Sequence, residues 1–419
     1  MSSGSRNSSV GDTPPRYPVE IVRRLAPPSP ARVAGRVVDV GSTGVRITDV
    51  TGSVWVEAEA PLPPLGAWVS AEGNWNGQRL QQGVCRLLNA PRVAFPPPHG
   101  EWNWFQDDDG RRAKLLRKRA ILRRAIREFF DQRAFVEVET PLVVPSPGLE
   151  VHLDALEVHG MRRDGGAAYL VTSPEYQMKR LLAGGLPRIY QLGRCFRAGE
   201  LGHLHQPEFS MLEWYRAFSG AEEVMRDTEA LVAHVAAAVG DGSTVIPGAQ
   251  NPVDVAPPWR RVAVAEAFQK YAGADAHALA QQPTEFFRRF VEQVQPQLGR
   301  FRPIFLTEWP ASMASLASLD PRNPSVAQRF EAFVDGVELC NGFNELIDPV
   351  EQRQRLAADQ QERNRIGKPQ YPIDQRFLEA LEEGLPPCGG NALGFDRLVM
   401  LVLGVADISD VVAIPASRA

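Results

Sequence analysis

FRAGELGHLHQPEFSMLEWY, residues 196–215, decides how this chain is read. Two apolar, strand-like pieces flank a loop holding Arg197, Glu200, His203, His205 and Glu208, as in an antiparallel hairpin with a long polar loop. An arginine at the end of the first strand offers a planar, permanently charged fork to a phosphate. A surface hairpin whose arginine pairs with a carboxylate fits the same residues equally well.

Further along, GVELCNGFNEL (336–346) carries Glu338 and Glu345. Their odd separation would put them on opposite faces of a regular strand, but Asn341-Gly342 predicts a bulge or turn that brings them together. Two carboxylates beside an arginine suit a Mg²⁺–triphosphate complex, in which phosphate oxygens and water complete the octahedron. The plainer alternative is one buried structural glutamate and one solvated one. CGGNALGFDRLVM (388–400) predicts a glycine-rich turn over 389–394 that leads into an amphipathic helix from Asp396, presenting Arg397. Upstream, TSPEYQMKR (172–180) offers Ser173 and Glu175 to an ammonium group, with Tyr215 at the end of the hairpin as a hydroxyl partner. Singly, each of these is more often a packing or surface residue.

The surroundings set the domain plan. Residues 1–30, rich in Ser, Pro, Gly and Arg, read as a disordered tail. Short β-like runs over 31–95 (RVAGRVVDV, GVRITDV, SVWVEAE, AWVSAEG, VCRLLNA) predict a small OB-like barrel. Residues 96–110 read as a linker, and 111–419 as one large α+β domain with an antiparallel sheet flanked by helices. Its first helix is strongly basic over 111–127, either a solvated face or a docking face. Residues 218–300 read as a largely helical insertion. The barrel segment 32–93 holds six Arg against five Asp plus Glu, a weak footprint for RNA, with Trp55, Trp68 and Trp75 as candidate stacking residues. A net charge of −4 argues against nonspecific coating of nucleic acid. Four widely separated cysteines read as reduced thiols, and the absence of a signal-peptide core or apolar span gives a cytoplasmic reading without membrane contact.

The order of these stretches, with FVEVETPLVV (135–144) before them, resembles motifs 1, 2 and 3 of the class II aminoacyl-tRNA synthetases, Pro141 standing at the dimer-interface proline. TSPEYQMKRLL, HQPEFSMLEWY, GVELCNGFNEL and GFDRLVM are most similar to the lysyl branch, over about residues 112–419. Within it, WPASMASLAS (309–318), LEWYRAF and YPIDQRFLEALEEGLPPCGGNALGFDRLVMLVLG resemble the elongation factor P–lysine ligases, and Ala392 stands where the synthetases have a glycine. That resemblance implies a class II catalytic domain using ATP and Mg²⁺. Arg197, Glu338 and Arg397 would be catalytic. Glu200, His205, Gln206, Phe209, Leu339, Asn341 and Gly394 would complete the ATP site, with adenine between Phe209 and Arg397. Ser173, Pro174, Glu175, Tyr215, Glu345 and Ala392 would hold lysine or β-lysine, and Glu338 with Glu345 the metal. The implied acceptor is elongation factor P, tRNA being less favoured, and a homodimer is expected. A lysyl-tRNA synthetase or a weakened synthetase-like regulator are the alternatives. Two places depart from the pattern: Gly199 replaces the glutamate of F-R-x-E, with Glu200 one residue on, and Gln206 stands where Asn is usual.

Overall fold

The computed structural model describes residues 16–161 and 165–419, the side chains of 107–109 excepted. The chain forms two compact units that divide inside the helix Glu101–Asp131, one up to Lys114 and one from Leu115 onward.

In the first unit, β1 (Ser29–Gly41), β2 (Gly44–Asp49), β3 (Gly52–Ala58), β4 (Trp68–Trp75) and β5 (Arg79–Asn89) close into a barrel in the order β1-β2-β3-β5-β4. β1 pairs with β2 along one edge and with β4 along the other, and β3 and β5 run parallel. Alternation of apolar residues sends Ala31, Val33, Val37, Val45, Ile47, Val54, Val56 and Leu80 to the interior. Three expectations change here. The expected tail lies outside the described residues up to 15, and from Arg16 on the chain belongs to the barrel. Tyr17 N–H donates to Arg32 O, and the short helix Val19–Val22 buries both valines. Two valines are enough to anchor a stretch whose average composition is polar. Trp75 is buried in the barrel core, while Trp68 stays exposed. The expected linker is shorter, because helix begins at Glu101.

The second unit is built on a nine-stranded sheet. Along its main path the strands are Arg260–Ala263, Ile304–Pro310, Asn323–Val334, Val337–Asn344, Cys388–Gly394, Glu208–Ala217, Arg188–Phe196 and Val136–Glu137. Pairing is antiparallel except at the two ends, where Arg260–Ala263 and Val136–Glu137 join in parallel. The segment expected as a helical cover over 218–300 therefore also supplies an edge strand, alongside helices such as Ala221–Val239 and Val264–Ala272.

The glycine-rich stretch is a central strand, where a turn was expected. A side chain at Gly389 would strike the backbone at Gly220, and one at Gly390 would strike Tyr215 and the Glu345 carboxylate. These glycines serve close packing between strands. The basic helix also gives up part of its expected docking face. Arg127 pairs with Glu137, and Arg119 lies 2.5 Å from Asp396 and donates to Ser210 Oγ. Its apolar side, with Leu122, Ile126, Phe129 and Phe130, joins the largest core.

Within that core Phe130 is fully buried, stacked on Tyr190 at 4.5 Å between ring centroids and edge-on to Phe135 at 5.0 Å. Phe130→Ala should lower the unfolding free energy of this unit by about 3–5 kcal/mol. A urea titration followed by tryptophan fluorescence checks this through the midpoint shift.

Candidate functional site

A cleft of about 290 Å³ opens where the hairpin, the acidic strand Val337–Asn344 and the central strand meet. Register places its walls. Ala392 stands opposite Glu213 on one side and Asn341 on the other. Most of the residues expected from sequence line this one space: Ser173, Glu175, Arg197, Glu200, His205, Gln206, Phe209, Glu338, Leu339, Asn341, Ala392, Gly394 and Arg397. Pro174, Tyr215 and Glu345 do not line it.

Each arginine is held in place. Arg397 donates to the Glu338 carbonyl at 2.9 Å, lies 3.3 Å from its carboxylate, and meets His205 Nε2 at 2.7 Å. Desolvation and the adjacent Arg397 lower the His205 pKa, and because a guanidinium only donates, His205 Nε2 accepts from Arg397. Arg197 rests 5.1 Å above the Phe209 ring and 3.8 Å from Glu200. Gly199 takes φ +78°, a left-handed turn suited to glycine, and the next residue, Glu200, lines the cleft. Asp396 fixes the floor, accepting from Ser210 N–H at 2.7 Å while it pairs with Arg119.

Behind Ser173 and Glu175 of the cleft wall lie further carboxylates, of which Glu213, like Glu345, stands outside the lining. Glu213, which sequence reading missed, is buried and accepts from Tyr215 OH at 2.6 Å and Ser173 Oγ at 3.0 Å. Tyr215 thus orients Glu213 from behind. Burial and repulsion by Glu175 push Glu213 up to about 8. Lys179, wholly buried, lies between Glu175 at 2.5 Å and Glu345 at 2.6 Å, and the two carboxylates hold its ammonium charged. Glu150, also missed, lines the cleft and is raised to about 7, first by burial and then by Glu175.

The expected convergence of Glu338 and Glu345 does not occur. The irregularity falls at Leu339, between the pairs Ala332–Cys340 and Phe333–Glu338, so Asn341-Gly342 continues the strand. Glu345 lies past the strand end, neutralised by Lys179. The carboxylate that does interact with Glu338 is Glu331 of the neighbouring strand, pushed up to about 7 chiefly by burial and partly by Glu338. A lone carboxylate inside the apolar run MLEWY was the sequence signal for Glu213. Glu150, in the irregular stretch PSPGLEVHLD, carried none.

Among the described residues no group of three or more His, Cys, Asp or Glu forms a ready metal cage, and all four cysteines are unbridged. No helix among them is long and apolar enough to cross a membrane.

The sequence over residues 105–418, which includes the arginine hairpin, the acidic strand and the glycine strand leading into Arg397, matches the family tRNA synthetases class II (D, K and N). The chain belongs to that family. Among curated relatives, the elongation factor P–(R)-β-lysine ligase of Proteus mirabilis is 42% identical over 317 residues, covering 73% of this chain and 96% of that protein. The ligases of Yersinia enterocolitica and Vibrio cholerae are 41% and 39% identical, again over 73% of this chain and 96% of theirs. The barrel precedes the start of the family match.

The raised carboxylates give a pH prediction with a definite sign. Glu150 and Glu213 ionise near 7 and 8 and are neutral below those values, when they attract an ammonium group only weakly. Lysine binding should therefore weaken as pH falls, by roughly tenfold or more from about pH 8.5 to about pH 6.5. Isothermal titration across that range checks it; a pH-independent affinity would exclude ionised carboxylates as the amine anchors.

Proposed function

We propose that this chain is an ATP-dependent ligase that activates lysine or (R)-β-lysine as the aminoacyl adenylate and transfers it to a lysine side chain of elongation factor P. The observation that carries the reading is joint. Relatives named for that reaction are spanned over 96% of their length, and one cleft brings Arg197 and Arg397 together with the carboxylates of Glu150, Glu175 and Glu338.

Adenine lies between Phe209 and Arg397, with Glu200 reaching its amino group. Arg197 leaves Phe209 to grip the α-phosphate. The amino-acid carboxylate attacks the α-phosphorus in line and pyrophosphate departs. No side chain acts as nucleophile, so rate comes from alignment and from positive charge held where negative charge develops. Glu338, 38% exposed, and Glu331 beside it are the carboxylates that would hold Mg²⁺ with the triphosphate. The metal would supply charge neutralisation on the phosphates. Glu213, Glu175 and Glu150 hold the amines, with Glu345 acting through Lys179. In the second step a lysine amine of the acceptor attacks the adenylate carbonyl and expels AMP.

Val136 and Leu142, exposed beside Pro141, form an apolar edge that a second copy would cover in a homodimer. The cytoplasm is the proposed site of action. The barrel's strand order, with β3 and β5 parallel, supports an OB-like reading. An OB-like domain ahead of a class II unit favours a second reading, a lysyl-tRNA synthetase.

Labelled (R)-β-lysine or lysine, with ATP and Mg²⁺, separates the two readings when elongation factor P and lysine tRNA are offered in separate tubes. Label on the protein alone is expected; label on tRNA would install the second reading. Arg197→Ala should reduce pyrophosphate exchange by roughly a hundredfold, the scale of one electrostatic donor worth about 3 kcal/mol. Unchanged exchange in that variant would remove Arg197 from the chemistry.

A further inference from the structure

Of the carboxylates around the cleft, Glu150 has an ionic environment unlike the others. Glu175 and Glu345 share Lys179, Glu331 has Arg329 at 2.6 Å, and Asp396 has Arg119. Glu213 accepts two hydrogen bonds. The Glu150 carboxylate hydrogen-bonds only its own backbone N–H and, among the described residues, has no ion pair, yet it lines the cleft together with Ser173, Glu175 and Arg197.

We propose that Glu150 receives the substrate amine nearest the reacting carboxylate, and so sets how the cleft distinguishes α- from β-amino acids. This rests on the ligase reading above. Lysine and β-lysine carry the same amine on C6 and differ in whether the second amine is on C2 or C3, so only a group at the reacting end can tell them apart. Glu150 lines the cleft together with Arg197, which the ligase reading puts at that end. Its charged neighbours in the cleft are Glu175 and Arg197, the arginine assigned to the α-phosphate. The principal charged neighbours of Glu213 are Glu175 and Lys179, and those of Glu345 are Lys179 and Glu175. Glu175 thus neighbours Glu150 as well as Glu213 and Glu345.

The carboxylate is also held ready. Arg363, fully buried in the helix Pro349–Arg365, donates to the carbonyls of Glu150 and Leu153, each at 2.8 Å, and to Asp154 Oδ1 at 2.9 Å. Asp154 O in turn accepts from Ala198 N–H, next to Arg197, at 2.7 Å. One buried guanidinium therefore ties the segment carrying Glu150 to the loop carrying Arg197. Gly148, at φ +115°, takes a backbone conformation that favours glycine and lies close to the Glu150 carboxylate. A desolvated, half-buried carboxylate without a paired cation gains from an ammonium that arrives with the ligand.

Pyrophosphate exchange by the full chain and by Glu150→Gln tests this with (R)-β-lysine and L-lysine, adding 6-aminohexanoate, which has the C6 amine alone, as a competitive inhibitor. In the variant KM for both diamino acids should rise at least tenfold and by unequal factors, while KM for ATP and Ki for 6-aminohexanoate stay within twofold. Glu150→Asp should recover part of the loss. An equal rise in Ki for 6-aminohexanoate, or unchanged diamino-acid KM values, would overturn the assignment. A wild-type chain that exchanges with neither diamino acid would overturn the ligase reading, and this inference with it.

Discussion

The register of one strand governs the rest of the catalytic unit. Cys388–Gly394 pairs with the hairpin strand on one side and the acidic strand on the other, and each of its residues thereby fixes two neighbours. Glycine at 389 and 390 lets the strands and the helix start at Gly220 approach closely, and Gly342 leaves room for the Phe330 ring. A slip of one residue would turn every side chain to the opposite face and separate Ala392 from Glu213 and Asn341. Arg397, one turn into the helix that follows, is aimed by the same strand. The cleft is thus defined by backbone pairing before any polar contact forms.

Charge is arranged so that the unmatched groups face the ligand. Isolated ions are costly to bury, and the unit answers with local pairs: Arg119 with Asp396, Arg216 with Asp227, Arg363 and Lys368 with Asp154. At the cleft the pairing is uneven. Three carboxylates, Glu175, Glu213 and Glu345, have one ammonium, Lys179, among them, while Arg197 and Arg397 line the cleft next to Glu200 and Glu338. The cleft thus carries charge of both signs, which suits a ligand bearing both ammonium and carboxylate or phosphate groups. Preorganisation of this kind avoids reorientation of solvent during adenylate formation.

Sequence made the hairpin, the acidic strand and the cleft-lining residues readable because they are local: polar residues interrupt apolar runs at fixed offsets. What it hid depends on pairing between distant segments. GGNALG looks like a turn until the two flanking strands supply contacts that exclude side chains at 389 and 390. Glu338 and Glu345 share a short stretch, yet Lys179, more than 150 residues earlier, captures one of them. Arg363 sits in the polar helical run QQERNR, where nothing local distinguishes it from solvated neighbours such as Arg365. Val19 and Val22 were masked by the polar average around them.

The altered arginine loop follows from the same logic. In F-R-x-E the glutamate follows the arginine by two residues; here Ala198-Gly199 puts Glu200 three residues beyond Arg197. An added residue would ordinarily rotate the next side chain away from the cleft. Gly199 offsets that by taking a left-handed conformation with no atom near its missing side chain, and Glu200 lines the cleft beside His205. Gln206, longer by one methylene than the usual Asn, uses its length to accept from Ala416 N–H at 3.1 Å, which anchors the C-terminal segment against the loop. Both departures thus have local compensation. A loop that had lost its ligand would be under no constraint to return a carboxylate to the cleft wall, so its geometry weighs against the weakened-regulator reading.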